Sequence, residues 1–510
     1  MPPESFKVEG AFDPKPSTAR TKTWSSRVTG GLPDFGFYRT STVDTLTEYN
    51  EGKQFAENSI ALTDDERQKQ DALIRSLVAG ASIKGVLATA SCWYGAYLHS
   101  KIKQHWILLS RVLTGLKDDS IGLEKGNLGV VYHFLHEIAK LLMSTEELAL
   151  VAIVDELDNA NLLKPQLDEE RALPNQAVWV AVGWLTMLYE AATHPKPDKL
   201  EITRTSTSLS GYRNQLFSRK YFNYKQGFDY VDVPLYRLIS KFGDLIPDVP
   251  TPLPYHRASE TIKVSSVCFS TIQNLADLKV EFVTSLALHL ELDSSRKTLK
   301  IFQFPSFCRM MMAGEGDNTL TRILNNNAAR GTQDVTEPQV SSEDFFREIL
   351  LSFRLIFGQD ERSWKAFSRA VPAWEERVEL STSPSWESNW DCDPLLHVLC
   401  GRSAESSEAR KLYDEVDANE PTSNYIPHAD FKYFGKRLLD LQDFIDQHQP
   451  KNVRGLLNDR RDVAAWYTLW NNQLLILFAS ITIFLMIVSL IFQIYQTWLT
   501  KEQLNQGSSP

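Results

Sequence analysis

The sequence of 510 residues lacks the short motifs that mark many enzyme families. It contains no G-x-S-x-G elbow, no Walker A loop, no G-x-G-x-x-G fingerprint and no H-E-x-x-H zinc motif. The pair His133 and His136, with Glu137 beside it, would need further metal ligands that no other part of the sequence nominates. The sequence therefore predicts no catalytic, metal-binding or cofactor-binding residue, and we interpret the pair as one face of a helix.

Cysteine is also scarce. The chain has five cysteines, an odd number, with no C-x-x-C spacing and no N-x-[ST] sequon. This usage is typical of a reducing compartment and argues against a disulfide framework or a zinc module. The N-terminus, MPPESFKVEG, has no apolar segment of the kind that a signal peptide carries. We expect the body of the protein to lie in the cytosol.

Basic residues are fewer than acidic ones. The chain has 54 Lys and Arg and 64 Asp and Glu, which gives a formal net charge of −10. That balance argues against a broad nucleic-acid footprint. Residues 212–231 interleave aromatic and basic side chains, and QGFDYVDV (226–233), which overlaps them, approaches an RNA-binding pattern. Gln226, Asp229 and Val233 replace the basic, small and aromatic residues of that pattern. We predict no nucleic-acid partner and interpret the stretch as a docked loop or a contact with anionic lipid headgroups.

The longest segment without a charged residue lies between Asp462 and Lys501. Its centre, Leu474–Phe492, has nineteen residues, of which only three, all hydroxyl residues, are polar. Roughly 20 apolar residues span a bilayer core as a helix, so this stretch predicts a transmembrane helix rather than a buried core helix. The residues predicted to form its ends and its aromatic belts are Trp466, Trp470, Leu474, Phe492, Tyr495 and Trp498.

Basic residues near this segment lie mostly on its N-terminal side. Arg454, Arg460 and Arg461 precede it, whereas only Lys501 follows it. The positive-inside rule then places the N-terminal body in the cytosol. The tail beyond Trp498 has a dozen residues, so we predict a single-pass, tail-anchored topology. Because the tail carries no basic cluster, we favour the endoplasmic reticulum or secretory membranes over the mitochondrial outer membrane.

Hydrophobic periodicity predicts a mainly α fold: two helical domains, a C-terminal transmembrane helix and a short β-hairpin near residues 288–304. The connector between the domains ends in four prolines within eight residues, which impose an extended, semi-rigid spacer. The predicted segments are a disordered or loosely docked stretch (1–60), a helical domain (61–199), the connector (200–255), a second mainly helical domain (256–450), a juxtamembrane segment (451–473), the transmembrane helix (474–498) and a short tail (499–510).

Local signals place several helix starts. Capping-box spacing begins at Thr63, Ser270 and Ser341, and each predicts a helix N-terminus. The helix from Ser270 is predicted to continue through residues 275–290. Pro174 predicts the start of another helix, which should continue to the next proline. Its apolar run of thirteen residues is too short for a second span, so we predict a buried helix there.

An apolar stripe with alternating spacings of three and four covers two heptads near the end of the second predicted domain. It consists of Phe431, Phe434, Leu438, Leu441 and Ile445. The stripe is shorter than the three or four heptads that identify a coiled coil. Packing on its own domain and a homodimer seam are both open interpretations.

From about residue 252 onward, the chain resembles a family of uncharacterised proteins of filamentous fungi that each end in a single membrane helix. Among the segments that carry the likeness are LPYHRASETI (253–262), KTLKIFQFPSFC (297–308), FGQDERS (357–363), GKRLLDLQ (435–442) and NDRRDVAAWYTLW (458–470). Together they cover about half the chain. The resemblance implies a largely helical body and a C-terminal anchor, and it implies no reaction, cofactor or catalytic residue.

Two functional hypotheses follow. The first is a membrane-tethered, non-enzymatic interaction or scaffold protein, whose partners are the lipid bilayer and unidentified proteins. The alternative is an accessory enzyme or enzyme-supporting protein of lipid or specialised metabolism. That protein would need an apolar pocket, which we place between the helices that carry Trp179 and Trp184 and the helix Phe345–Phe357.

Overall fold

The computed structural model describes residues 62–78, 86–116, 127–144, 147–165, 172–203, 206–207, 213–214, 224–243, 245, 257, 259–314, 316–328, 341–370, 393–402, 406–415, 422–448 and 463–506. The predictions for residues 1–60, for most of the connector and for the basic part of the juxtamembrane segment lie outside these residues. The described chain is mainly α-helical, and this part of the fold prediction is confirmed.

The α-helices, numbered in chain order, are α1 (Asp64–Leu77), α2 (Val86–Gln104), α3 (Trp106–Val112), α4 (Asn127–Ser144), α5 (Leu150–Asn159), α6 (Leu173–Thr186), α7 (Leu235–Ser240), α8 (Val264–Val267), α9 (Phe269–Asn274), α10 (Pro305–Met312), α11 (Thr319–Ala328), α12 (Ser342–Phe353), α13 (Glu361–Ala370), α14 (Pro394–Gly401), α15 (Ser407–Glu415), α16 (Pro427–Asp430), α17 (Gly435–Asp446) and α18 (Val463–Gln506). A π-helical turn, Arg354–Gly358, extends α12.

The strands are short. They are β1 (Lys199–Glu201), β2 (Ser206–Thr207), β3 (Arg213–Asn214), β4 (Lys225–Gly227), β5 (Ile262–Lys263), β6 (Lys279–Val283), β7 (Leu292–Asp293), β8 (Thr298–Phe302) and β9 (Asn424–Tyr425). Strands β1 and β4, β2 and β3, and β5 and β9 form antiparallel pairs, and β6, β8 and β7 form a three-stranded sheet in that order.

Helix α1 begins as its sequence predicts. Thr63 Oγ1 accepts a hydrogen bond from the Glu66 amide at 3.3 Å, and Glu66 Oε2 accepts one from the Thr63 amide at 2.9 Å. The capping box is therefore confirmed. The other carboxylate oxygen of Glu66 accepts from the Leu128 amide at 3.1 Å, near the start of α4. One glutamate thus caps its own helix and joins that helix to a second one.

Helix α6 is buried on all sides, as predicted for its apolar run. Trp179 and Trp184 are each only 1% exposed, and Trp179 stacks on Tyr189 with 4.1 Å between ring centroids. The predicted continuation of this helix to the proline at 195 is wrong. The helix ends at Thr186, because Met187 adopts a left-handed conformation with φ of 50°.

The β-hairpin predicted near residues 288–304 is present as β7 and β8, in which Leu292 pairs with Leu299 in antiparallel register. Strand β6 was not predicted and pairs with β8 in parallel, with Phe282 opposite Ile301. The predicted helix through residues 275–290 is therefore wrong. Helix α9 stops at Asn274, and the chain then enters the strand that β8 completes.

The helix cap predicted at Ser270 does not form, because the Ser270 side chain bonds to a residue that is distant in the sequence. Ser270 Oγ donates to Asp360 Oδ2 at 2.7 Å instead of accepting from its own helix. Three residues after α9, Asp277 has a φ of 55°, a left-handed conformation that no α-helix continues through. Ser341, in contrast, accepts from the Asp344 amide and caps α12 as predicted.

A single hydrophobic core runs through the described body, from Leu73 in α1 to Ile445 in α17. Helix α10 packs against both α2 and α12, so elements of both predicted domains share this core. The boundary between two domains at residues 200–255 stays a prediction. In the described residues, elements before and after that connector share one hydrophobic core.

The apolar stripe of α17 and its preceding turn is buried in this core. Its five members are each at most 1% exposed: Phe431, Phe434, Leu438, Leu441 and Ile445. Packing on the chain's own body therefore occupies the stripe. A homodimer would need another surface.

Candidate functional site: the C-terminal apolar helix

Helix α18 is continuous for 44 residues. Its sequence has no glycine and no proline, and leucine and isoleucine fill much of its middle, so nothing in it interrupts helical hydrogen bonding. The part from Trp470 to Gln503 is long and apolar enough to cross a membrane. In the described part of the chain, it is the one helix that meets this condition.

The side chains of this helix are exposed. Leu474 at one end of the apolar core is 41% exposed, Phe484 near its centre 65% and Phe492 at the other end 63%. No share of its most apolar window is buried against the body. Exposed apolar surface of this extent is costly in water and favourable in hydrocarbon. The contrast with α6, whose side chains fill the core, excludes the interpretation of α18 as a core helix.

Aromatic residues flank the apolar core. Trp470 is 42% exposed and Trp498 is 56% exposed, and the ring of Tyr495 stacks on Trp498 at 6.3 Å. A helix rises about 42 Å between two such tryptophans, close to the thickness of a bilayer with its headgroups. Trp466 lies in the same helix, and its side chain is outside the described part. The geometry matches the interfacial belts of a spanning helix.

Two hydroxyls inside the apolar core are satisfied within the helix. Ser480 Oγ donates to the Ile476 carbonyl oxygen, and Thr482 Oγ1 donates to the Phe478 carbonyl oxygen, both at 2.8 Å. A hydroxyl without a partner is unfavourable in hydrocarbon. These bonds make both residues compatible with a lipid environment. The topology-setting residues Arg454, Arg460 and Arg461 lie outside the described residues.

Polar groups inside the body hold the fold together. Glu348 of α12 accepts from the amides of Tyr433 and Phe434 at 2.9 and 3.2 Å, so it holds the turn that leads into α17. Burial raises the pKa of Glu348 to about 8, although these amide hydrogen bonds act in the opposite direction. A carboxyl group that is protonated near neutral pH links two helices far apart in sequence.

Asp393 has a similar role. Its Oδ1 accepts from the Leu395 amide at 2.8 Å, which caps α14, and its Oδ2 accepts from the Ser306 amide at 2.6 Å, in the first turn of α10. Ser306 Oγ donates to Asp393 Oδ1 at 2.6 Å. Burial raises the pKa of Asp393 to about 7. One carboxyl group thus serves the N-termini of two helices.

A serine–histidine pair is present, but it lies in the core. His289 Nε2 is 2.9 Å from Ser352 Oγ, and His289 Nδ1 accepts from the Phe302 amide at 3.2 Å. Both side chains are 0% exposed. Burial, followed by the charge of Arg437, lowers the pKa of His289 to about 3, so the imidazole is neutral. Without access for a substrate, the pair connects the sheet to α12 and does not form a nucleophile.

A buried ion pair joins three segments. Lys101 in α2 is 2% exposed and bonds to Glu190, which follows α6, and Thr284 Oγ1 donates to Glu190 at 3.0 Å. Burial alone would raise the pKa of Glu190, but the Lys101 ammonium holds it below its usual value. The charged form of Glu190 is therefore favoured, and its contacts with Lys101 and Thr284 join the sheet region to α2.

The weaker candidates from the sequence do not form a described site. His133 Nδ1 lies 3.9 Å from Glu137, and Lys140 contacts the same carboxylate at 3.0 Å. Across the described ranges, no three His, Cys, Asp or Glu side chains meet in a way that could hold a metal ion. Much of the basic-aromatic stretch 212–231 is outside the described residues.

Rings fill the positions assigned to an apolar pocket. The ring of Trp184 contacts that of His105 at 5.4 Å, and the ring of Phe357 contacts that of Phe269 at 5.1 Å. Phe345 is 0% exposed and contacts the ring of Phe346 at 5.3 Å. This packing favours a solid interior over a ligand cavity at these positions.

Comparison with known proteins adds no relative: no family model, no curated protein and no solved structure matches this chain. The resemblance of residues 252–470 to a fungal family stays a prediction. The function therefore has to be argued from α18 and from the chemistry of the body.

Proposed function

We propose that this protein is anchored in a membrane by α18, with its helical body in the cytosol, and that it acts there as an interaction or scaffold protein. The observation that carries the proposal is that the most apolar window of α18 has no share buried against the body. An apolar segment exposed in this way requires another apolar environment, and the length and aromatic ends of the helix fit a bilayer.

The orientation rests on charge. Three arginines precede the helix at 454, 460 and 461, and Lys501 follows it, which favours a cytosolic N-terminal side. Residues 499–510 carry one lysine, one glutamate and no basic cluster, which supports the endoplasmic reticulum or secretory membranes. A scaffold role is supported by the body itself, whose buried polar groups cap helices and join elements and present no described reaction centre.

Anchoring is tested with the full chain and with a chain truncated after Asp462. Membranes are washed with alkaline carbonate, and the protein is measured in the pellet and in the supernatant. We expect the full chain in the pellet and the truncated chain in the supernatant. Release of the full chain by alkali would show that α18 does not insert.

The scaffold role is tested separately, by affinity capture of the full chain from mild detergent extracts. We expect a reproducible set of cytosolic or membrane proteins that the truncated chain captures less well from the same cells. Repeated capture of no stable protein partner by the full chain would contradict the scaffold role and leave the anchoring intact.

A further inference from the structure

One face of α18 collects most of the small and polar side chains of the membrane segment. Steps that alternate between four and three residues follow this face over more than four heptads. We name it the amide–hydroxyl face. It consists of Thr468, Asn472, Leu475, Ala479, Thr482, Met486, Ser489, Gln493, Gln496 and Thr500.

The other faces differ in character. Between Leu474 and Phe492, every residue outside the amide–hydroxyl face is a large aliphatic or aromatic residue or valine, with Ser480 as the exception. Ser480 already donates its hydroxyl to the helix backbone. The helix therefore has faces suited to acyl chains and one face that is not. A helix that contacts only lipid around its whole circumference does not require one face of different composition.

Some polar groups of the amide–hydroxyl face have no hydrogen bond within the described helix, although Thr482 and Thr500 of the same face do. Ser489 lies inside the apolar core, and its hydroxyl has no hydrogen bond within the described chain, in contrast to Ser480 and Thr482. The side-chain amides of Gln493 and Gln496 also have no bond within the described chain, and both residues are exposed. In and beside hydrocarbon, such groups gain most from a partner on another helix.

We propose that the occupant of this face is α18 of a second copy of the chain, in a parallel, left-handed helix pair. This inference rests on the proposed anchoring. Two copies with one topology lie parallel, and a heptad seam then places each residue opposite itself. Amides and hydroxyls both donate and accept hydrogen bonds. Each amide or hydroxyl residue of this face can therefore bond to the same residue in the second copy. No charge lies between Asp462 and Lys501 to oppose the contact, and Ala479 and Ser489 leave room for close backbones.

The apolar stripe of α17 cannot supply this dimer, because it is buried in the body. The seam on α18 is independent of that stripe and has a different chemistry. It would hold two cytosolic bodies beside each other on one membrane, which suits a scaffold. The partner is thus a second copy of this chain rather than a soluble protein.

A cysteine scan of the full chain in isolated membranes tests the seam. Single cysteines replace each residue from Leu485 to Leu490, and the membranes are oxidised with copper phenanthroline, with the unsubstituted chain as the baseline. We expect strong disulfide dimers for Met486→Cys and Ser489→Cys, and several-fold weaker dimers at the four other positions. Maxima at those other positions, or equal yields throughout, would overturn the seam.

Energy transfer between labelled full chains in phosphatidylcholine vesicles gives a second measurement. The double change Gln493→Leu and Gln496→Leu should weaken dimerisation about tenfold, the loss expected for two interhelical hydrogen bonds. Gln473→Leu, an amide of the same type outside the face, should leave it unchanged. Equal effects of both variants, or no dimer in the vesicles, would contradict a second copy as the partner.

Alkaline extraction of each variant separates the two proposals. A variant that alkali removes from the membrane reports on the anchoring and contradicts the proposed function. Variants that stay membrane-integrated but show no seam contradict the dimer alone.

Discussion

Buried carboxyl groups in this protein join elements that lie far apart along the chain. Glu348 accepts from the turn before α17, more than eighty residues later, and Asp393 joins the start of α14 to Ser306 of α10, 87 residues away. Such groups are unfavourable when charged in the core, and the pKa values of Glu348 and Asp393 rise accordingly. Their hydrogen bonds define where α10, α14 and α17 begin.

The raised pKa of Glu348 predicts a dependence of stability on pH. The folded protein binds this proton up to about pH 8, whereas the unfolded chain releases it near pH 4. The free energy of unfolding should therefore fall as the pH rises from about 4 to about 8. Glu348→Gln removes the titration and keeps an acceptor, so it should abolish on the order of 2–4 kcal/mol of that fall.

The measurement is thermal unfolding of the detergent-solubilised chain between pH 5 and pH 8. Glu343→Gln, on the exposed side of the same helix, is the matched control and should retain the wild-type slope. Identical slopes for wild type and Glu348→Gln would show that the proton is not bound at Glu348.

Asp393 gives a second prediction. Asp393→Ala leaves the buried amides of Ser306 and Leu395 without their acceptor. We expect a loss of about 2–4 kcal/mol in the free energy of unfolding, because an unsatisfied buried donor is costly. Urea unfolding measures it, with Asp414→Ala at an exposed position of α15 as the control. A loss no larger than that of the control would remove Asp393 from the role of a cap.

At the scale of elements, the sequence predicts what is encoded locally. The starts of α1 and α12 follow from Thr63 and Ser341, because hydroxyl and acceptor lie within one turn. Helix α18 follows from composition alone. Strand β6 could not be predicted in this way, since its apolar residues suit a helix until the parallel partner β8 is known. The end of α6 at Met187 also escaped prediction, because a left-handed methionine carries no sequence signal.

The same limit applies to candidate sites. The long apolar helix α18 could be predicted as a whole, with the aromatic residues near its ends, from a run of residues without charge. The contacts of Glu348 with Tyr433 and Phe434, and of Asp393 with Ser306, could not, because these partners are brought close only by the fold.

The apolar core of α18 yields a prediction at this scale. Two arginines in its centre, Phe484→Arg with Leu485→Arg, should release most of the protein into the alkaline supernatant. Each arginine costs about 2.5–3.5 kcal/mol at the centre of a membrane helix, and two apolar side chains are lost as well. Thr468→Arg, outside the apolar core, should stay in the membrane pellet. Retention of the double variant in the pellet would show that another segment holds the protein.

At the scale of the whole molecule, a continuous hydrophobic core holds the described body together. A single exposed helix carries the proposed membrane anchor. The core joins elements on both sides of the Pro-rich connector, and the hydrogen bond from Thr284 to Glu190 joins them as well. The formal net charge of the chain is −10, which favours solubility of the body.

The central claim is a membrane anchor with a cytosolic body, and topology in sealed microsomes tests it most directly. The full chain carries a short extension after Pro510 with one N-x-[ST] sequon, and a matched extension has Gln in place of the Asn. We expect the tail to be glycosylated with the sequon alone, and added protease to digest the body while the glycosylated tail stays protected. A body that resists protease in sealed vesicles, or a chain that alkali releases, would contradict the account.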